Sequence, residues 1–134
     1  MNAHVARTMQ ALKAWSAQDL ESYRTLYHPD AVLYGFAPQP IDVESAMQFY
    51  RAFFAAFPDV HFETLDTVAE GDRIAMRYRV TGTHAGEFQG IPATGRAVDV
   101  QGITILHFRN GKVAERWQQL DLMSLLQQLG VVPG

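Results

Sequence analysis

The sequence of 134 residues contains no cysteine, so it offers neither a disulfide framework nor a thiolate site for zinc. Its five histidines do not recur at a ligand-like spacing such as His-x-x-x-His, and we therefore predict no metal site. No run approaches the roughly 18 apolar residues of a membrane span, and the N-terminal stretch lacks the apolar core of a signal peptide. We accordingly expect a cytoplasmic protein with no membrane partner.

Positive charge is also scarce, since 11 Lys and Arg stand against 14 Asp and Glu, which gives a net charge of −3. Binding to the phosphate backbone of nucleic acids needs the opposite balance, so we predict no nucleic-acid partner. With 48% hydrophobic residues the chain is long enough to bury one core, and we expect a single domain over residues 1–134.

The period of the apolar residues changes at Pro58. Before it they recur every three or four positions, as in amphipathic helices, and after it they alternate, as in strands. The predicted helices cover 2–17, 20–27, 43–57 and 122–129. The predicted strands cover 31–35, 60–68, 73–84 and the two arms of 97–121, and the Gly- and Pro-rich segment 85–96 is a loop or a broken edge strand. This order is typical of an α+β fold with helices on one face of an antiparallel sheet.

The segment 97–121 turns at Asn110-Gly111, the strongest short-range signal of a β-hairpin. The turn can close with two residues, or with three when a bulge is present. The first register pairs Phe108 with Val113, and the second pairs Phe108 with Lys112. The choice between them decides which side chains share a face.

His107 and Asp121 are the obvious acid and base by composition, but neither register joins them. In the two-residue register they point to opposite faces. In the three-residue register Asp121 lies opposite Asp99, which is roughly 26 Å from His107 along the strand. Since a hydrogen bond spans only about 3 Å, the pair is no dyad. Asp121 fits better as the N-cap of the last helix, with Ser124 three residues later.

The three-residue register gives a tighter polar cluster on the other face. It places Thr104 opposite Arg116 and Gly102 opposite Gln118, near the middle of the hairpin. Polar groups at the centre of a sheet, under an aromatic helix, predict a ligand pocket, although a solvated face with Arg116 paired to a surface carboxylate is the alternative. The residues that could line the pocket for a planar ligand, or simply fill the core, are Trp15, Tyr34, Tyr50, Phe54, Met76 and Tyr78.

The opposite face of the hairpin carries Ile103, Ile105 and Trp117. These side chains form an apolar patch that a monomer would expose to water. We therefore predict a homodimer that associates through this face of the sheet.

A resemblance to a known family rests on the segment 81–96 (TGTHAGEFQGIPATGR), on Asn-Gly-Lys-Val at 110–113, on Trp117 and Asp121, and on Gln-Leu-Gly at 128–130. The chain resembles the SnoaL-like polyketide cyclases of the nuclear transport factor two-like superfamily. The resemblance implies a cone-shaped α+β barrel of curved antiparallel sheet, with three N-terminal helices over an apolar pocket and a short C-terminal helix. It also implies cofactor-free aldol ring closure of a polyketide ester, in which an aspartate takes a proton from carbon and a histidine and a glutamine hold the enolate.

Aligned on Asn-Gly-Lys, the resemblance places the family's catalytic aspartate on Gln118, its histidine on Thr104 and its assisting glutamine on Gly102. All three residue types differ, and a neutral amide is no proton acceptor comparable to a carboxylate. We therefore expect a cyclase or isomerase without a cofactor, in which Gln118, Thr104 and Arg116 orient and polarise an oxygen of an apolar, oxygenated small molecule.

His84 is a further candidate, either as an acid, base or anion-stabilising group at the pocket mouth or as a fastener of the 85–96 loop, which we favour. Two other functions stay open. One is a non-catalytic binding protein with the same pocket, and the other is an enzyme of the ketosteroid-isomerase or epoxide-hydrolase type that uses Asp66 or Asp99. A cavity with no carboxylate within about 4 Å would argue against carbon-acid catalysis.

Overall fold

The computed structural model, which describes residues 2–133, contains helices packed against a five-stranded sheet. The helices are α1 (Ala3–Ser16), α2 (Leu20–Tyr23), α3 (Val43–Ala56) and α4 (Leu122–Leu129), with a 3-10 turn at Arg24–Leu26. The strands are β1 (Tyr27–Tyr34), β2 (His61–Glu70), β3 (Arg73–Thr83), β4 (Ala97–Arg109) and β5 (Lys112–Leu120). The predicted α+β class is confirmed. Within residues 2–133, no helix is both long and apolar enough to cross a membrane.

Short side chains start the helices at the predicted positions. Asp42 accepts a hydrogen bond from the backbone N–H of Ser45 at 2.8 Å, and Asp121 accepts one from Ser124 at 3.1 Å. Such caps satisfy N–H groups that have no partner inside the helix. Asp121 therefore serves the start of α4.

The strands follow one another across the sheet in the order β1-β5-β4-β3-β2. Strands β2 to β5 pair antiparallel, but β1 runs parallel to β5. The prediction of a wholly antiparallel sheet was therefore wrong, because alternation shows which face a side chain occupies and not in which direction a strand runs. The sheet stays open, with β1 and β2 at its edges.

The β4–β5 hairpin has a two-residue turn and, beyond it on β5, a bulge. Neither predicted register combined these two features. Asn110 and Gly111 adopt φ values of 51° and 81°, and Arg109 pairs with Lys112 across them. Ala114 is then an extra residue on β5, since the ladder resumes with the next position. The turn therefore follows one prediction, and the ladder beyond it follows neither.

The bulge keeps the predicted faces although it changes the partners. Thr104 pairs with Gln118, where Arg116 was predicted, and Gly102 pairs with Leu120, where Gln118 was predicted. The observed ladder differs from the three-residue register by two positions, and side chains repeat their face every two residues. Thr104, Arg116 and Gln118 consequently share the inner face of the sheet.

His107 and Asp121 stay apart, as predicted. His107 Nδ1 lies 3.0 Å from Glu115 Oε1, and the backbone N–H of Asp121 donates to the carbonyl of Gln101 at 3.0 Å. Neither side chain has the other as its partner.

The inner face of the sheet packs against α1 and α3 around Trp15. The Trp15 ring centroid lies 4.9 Å from that of Phe54, 5.5 Å from Phe62 and 5.7 Å from Tyr50, each in an edge-on arrangement. A second cluster, which includes Phe88 on the 85–96 loop, packs against α4. The space between the two clusters opens into a cavity.

Gly35 follows β1 with φ at +95°, and a Cβ built there would lie 1.8 Å from the backbone oxygen of Gln118. We expect Gly35→Ala to lower the free energy of unfolding by about 2–5 kcal/mol, because backbone strain adds to a clash that the strand cannot relieve. Urea denaturation measures the loss.

The matched control is Gly71→Ala, since Gly71 also has a positive φ, +58°, but open space around its Cβ position. Its cost should be only about 1–2 kcal/mol, from the left-handed backbone alone. Equal losses at the two positions would contradict the role of the clash.

Candidate functional site

A cavity of about 310 Å³ lies between the inner face of the sheet and the helices, which is at the small end of the range of about 300–1,000 Å³ for small-molecule sites. Most of its wall is apolar. The aromatic lining residues are Trp15, Tyr23, Phe36, Phe49, Tyr50, Phe53, Phe57, Phe62, Tyr78 and Phe88. Flat rings on several sides favour a planar, apolar ligand.

Arg116 of β5 lines the floor of this cavity and is only 8% exposed. Its Nη1 lies 3.1, 2.9 and 2.8 Å from the hydroxyl oxygens of Tyr23, Tyr27 and Tyr50. Its Cζ lies 5.3 Å from the ring centroid of Phe36, at cation–π distance. Four separate segments therefore surround one guanidinium.

The remaining nitrogens of Arg116 bind side chains of the sheet. Nε donates to Thr104 Oγ1 at 2.9 Å, and the Thr104 hydroxyl donates to the carbonyl of Trp117 at 2.9 Å. Nη2 donates to Gln118 Oε1 at 3.0 Å, and Gln118 Nε2 donates to the hydroxyl of Tyr78. We call Arg116, Thr104, Gln118 and the four tyrosines 23, 27, 50 and 78 the floor cluster.

The floor cluster contains no carboxylate, and among residues 2–133 no Asp or Glu lines the cavity. The alternative in which Arg116 pairs with a surface carboxylate was wrong. Asp99 instead binds Arg79 on the outer face at 2.6 and 2.8 Å, and Asp66 is exposed on β2. Neither can act as a base in this cavity, so that alternative is also wrong.

Burial raises the pKa values of three floor tyrosines and keeps them protonated. It raises the pKa of Tyr50 to about 12, although the nearby Arg116 opposes the shift, and burial likewise raises the pKa values of Tyr23 and Tyr78. Burial by itself lowers the pKa of Arg116, but the oxygens of Tyr27 and its neighbours outweigh it and hold this pKa well above its ordinary value. At neutral pH Arg116 is therefore a cation, and the phenols of Tyr23, Tyr50 and Tyr78 around it are neutral.

Among the predicted lining residues, the structure brings Trp15, Tyr50 and Tyr78 to the cavity, and it places Arg116 and Gln118 at the floor. Thr104 lies directly beneath, buried, and reaches the cavity only through its hydrogen bond with Arg116. These residues come from α1, α3 and three strands, and only their faces could be deduced from the sequence.

Three other predicted lining residues do not line the cavity. Tyr34 lies on the outer face, where it stacks on Trp117 at 5.5 Å, because the inward face of β1 belongs to Leu33. Phe54 is buried against Trp15, and Met76 is buried where its sulfur accepts from Thr64 at 3.7 Å. These two are core residues.

Sequence reasoning missed Tyr23 and Tyr27 as site residues, because they were interpreted as part of an apolar helical stripe. Their hydroxyl oxygens are 2.7 Å apart and both lie next to Arg116. The available signal was the residue type, since a buried tyrosine needs a polar partner that a phenylalanine would not need.

His84 is fully buried and does not line the cavity. Its Nδ1 lies 3.0 Å from Thr94 Oγ1 and accepts from the Thr94 backbone N–H at 3.2 Å, and its backbone pairs with Gly95 and Arg96 at 2.9 Å. His84 therefore fastens the base of the 85–96 loop. Its Nε2 has no hydrogen-bond partner in the part of the chain that the structure describes.

Nearly the whole chain matches one known protein family. Residues 3–129 match the sequence profile of the SnoaL-like polyketide cyclases. The chain belongs to this family. The order of helices and strands and the apolar cavity agree with that assignment.

Solved structures of similar proteins cover almost the whole SnoaL-like domain. AclR from Streptomyces galilaeus, a proposed hydroxylase, is 32% identical with a TM-score of 0.90, and the match covers 98% of this chain and 83% of AclR. IdmH from Streptomyces antibioticus, a proposed polyketide cyclase, is 34% identical with a TM-score of 0.81, and the match covers 94% of this chain and 98% of IdmH. The fold is therefore shared over nearly its full length.

Two curated relatives match a shorter region. The aklanonic acid methyl ester cyclases DnrD of Streptomyces peucetius and DauD of Streptomyces sp. (strain C5) are each 26% identical over 77 residues. That region is 58% of this chain, 53% of DnrD and 48% of DauD. The chain thus spans about half the length of the curated relatives it matches.

The alkaline titration of Tyr50 tests the electrostatics of the floor. Between about pH 10 and 12 the folded state keeps the Tyr50 proton that the unfolded state releases, so stability falls as pH rises, by up to about 3 kcal/mol. We expect Tyr50→Phe to reduce this fall. Urea denaturation at a series of pH values measures it, and an unchanged fall in the variant would contradict the burial of this hydroxyl.

Proposed function

We propose that this SnoaL-like protein promotes ring closure or isomerisation of an apolar, oxygenated small molecule of the polyketide kind. The observation that carries this proposal is the floor cluster, which presents a buried guanidinium and phenol hydroxyls to the end of an aromatic cavity. Hydrogen-bond donors held in place inside an apolar site stabilise negative charge that develops on a substrate oxygen.

Arg116 Nη2 is the donor best placed to act on that oxygen. It carries two N–H groups, and only the one directed at Gln118 has an acceptor among residues 2–133. A substrate carbonyl at the second N–H would gain a charge-assisted hydrogen bond that strengthens as the oxygen becomes negative. Such a donor is worth about 3 kcal/mol to the transition state.

The proton on carbon is the other half of the chemistry. In an aldol ring closure the carbon acid loses a proton, its electron pair forms the new carbon–carbon bond, and the attacked carbonyl oxygen takes up a proton. The floor cluster serves the oxygen, but the described lining offers no carboxylate to take the proton. The proposed substrates are therefore those that enolise readily without a strong base.

Gln118→Asp should convert the floor into one that holds a base. The names of DnrD and DauD suggest aklanonic acid methyl ester as the test substrate. We expect the variant to close its ring at least about a hundredfold faster than the unmodified protein, because a positioned base contributes that much. Liquid chromatography with mass spectrometry detects the product, which has the mass of the substrate.

The control is Gln101→Asp, which makes the same chemical change at an exposed position of the outer face. This variant should behave like the unmodified protein. If Gln118→Asp binds the ester and still gives no gain, the cyclase interpretation of the floor fails.

The similarity to AclR favours a second candidate function, hydroxylation of the same kind of substrate, in which dioxygen supplies the oxygen atom and an added two-electron reductant reduces the second oxygen atom to water. The assay separates the candidates by mass, because a hydroxylated product is one oxygen heavier and a ring-closed product is not. A ligand that binds and returns unchanged from both proteins would instead indicate a non-catalytic binding protein.

We also propose that the protein is a homodimer through the outer face of the sheet. Ile103 and Ile105 are 52% and 39% exposed there. Beside them Trp117 stacks on Tyr34, and Arg73 Cζ lies 5.9 Å from the Trp117 ring. Flat aromatic and branched aliphatic groups on an exposed sheet face are typical of an interface core.

Ile105→Glu should convert this dimer to a monomer, because it places charge at the centre of the apolar face. Analytical ultracentrifugation measures the mass. Met123→Glu is the control, since Met123 is 60% exposed and belongs to α4, not to a strand of the sheet. A monomeric unmodified protein, or a dimer that Ile105→Glu leaves intact, would contradict the assignment.

A further inference from the structure

Arg116 carries a buried positive charge that no side chain described between residues 2 and 133 neutralises. Its hydrogen-bond partners are three phenols, a hydroxyl and an amide, and no carboxylate is among them. Charged groups out of contact with water are usually paired with a group of opposite charge, since an unpaired one is costly. The floor is therefore electrostatically incomplete.

The same region has more hydrogen-bond donors than acceptors. The Tyr78 oxygen accepts from Gln118, while its own hydroxyl hydrogen has no acceptor among the described residues. The second N–H of Arg116 Nη2 and the second N–H of Gln118 Nε2, both on cavity-lining side chains, also lack a partner in that part of the chain. A ligand with several acceptor oxygens would match this set.

Tyr50 and Tyr23 do not supply the missing negative charge. Burial raises the pKa of Tyr50 to about 12 and that of Tyr23 well above its ordinary value, so both stay neutral at physiological pH. Asp66 and Asp99, the two carboxylates considered above as bases, belong to the exposed surface. Among residues 2–133 none supplies the compensating charge, and a bound anion would supply it.

We infer that the substrate of this site is an acid that binds as an anion, a flat apolar molecule whose ionised oxygens occupy the floor beside Arg116. This inference rests on the proposed function in that it takes the cavity as the substrate site. Two groups supply this chemistry, a carboxylate and the enolate of a 1,3-dicarbonyl.

An enolate would also account for the amide at Gln118. A substrate that enters as an enolate has already lost its carbon-bound proton, so ring closure needs no carboxylate in the protein. The electron pair of the enolate forms the new carbon–carbon bond, and the attacked carbonyl oxygen receives a proton from solvent or from a floor hydroxyl that solvent reprotonates. The charge on Arg116 and the missing base thus have one explanation.

Two matched pairs of probes test the inference by isothermal titration calorimetry at pH 7.5. The first pair is 2-naphthoate and neutral 2-naphthamide. The second pair is 2-acetyl-1,3-indandione, which is an enolate at this pH, and 2,2-dimethyl-1,3-indandione, which cannot ionise. We expect at least tenfold tighter binding of the anion in one pair or both, and the pair that shows it identifies the acidic group.

Arg116→Met should abolish this preference, since methionine keeps an unbranched apolar stem in place of the Arg116 side chain and removes its charge and its donors. Arg51→Met is the matched control, because it removes one positive charge from the exposed side of α3, where Arg51 lies 3.5 Å from Glu44. The control should keep the full preference. Arg116→Lys, which keeps the charge, should retain part of it.

Equal affinities within both pairs, tighter binding of the neutral probes, or no binding of any probe at millimolar concentration would overturn the inference. So would an anion preference that survives in a folded Arg116→Met protein, as judged by circular dichroism. If Arg116→Met does not fold, Arg116→Lys and Arg51→Met are compared with the unmodified protein instead. An anion preference that Arg116→Lys leaves undiminished would then overturn the inference. An anion preference without ring closure refutes only the proposed function, and ring closure without an anion preference refutes only this inference.

Discussion

A guanidinium that is held out of water is the constraint on which this structure depends. Arg116 needs acceptors for its five N–H groups, and no single element can supply them. The fold therefore brings Tyr23 from α2, Tyr50 from α3, Thr104 from β4 and Gln118 from β5 to one point. These contacts join the helices to the sheet at the bottom of an otherwise apolar space. They also explain why hydroxylated rings stand where phenylalanine would fill the same volume.

The shape of the floor depends on a glycine, which has no side chain. Gly102 faces the cavity side of β4, and a Cβ there would lie 2.5 Å from Tyr78 Cζ and Oη. The ring of Tyr78 can therefore lie across β4 and bring its hydroxyl to the amide of Gln118. The chemical character of the site comes from the charge on Arg116, but the place where a substrate oxygen could meet Gln118 comes from the space that a glycine leaves.

Much of the fold, and the faces of the site residues, could be predicted because they depend on periods of 3.6 and 2 that the sequence displays. The pairing partners across the β4–β5 ladder could not be predicted, because Ala114 is an extra residue on β5 and nothing in the sequence marks it as a bulge. The direction of β1 could not be predicted either, and the alternation within β1 did not show that Leu33 rather than Tyr34 faces inward. Tyr23 was missed because it follows the spacing of an apolar helical stripe. The need for its hydroxyl becomes evident only when its partner Arg116, on a distant strand, is known.

The two tryptophans of the chain lie on opposite sides of the same sheet. Trp15 borders the cavity, whereas Trp117 lies on the outer face, stacked on Tyr34. The molecule thus carries two intrinsic fluorophores, one on each side of the sheet. A protein that retains only Trp15 would report what enters the cavity, and one that retains only Trp117 would report what covers the sheet. Occupancy and association can therefore be followed independently by light emission, without any attached label.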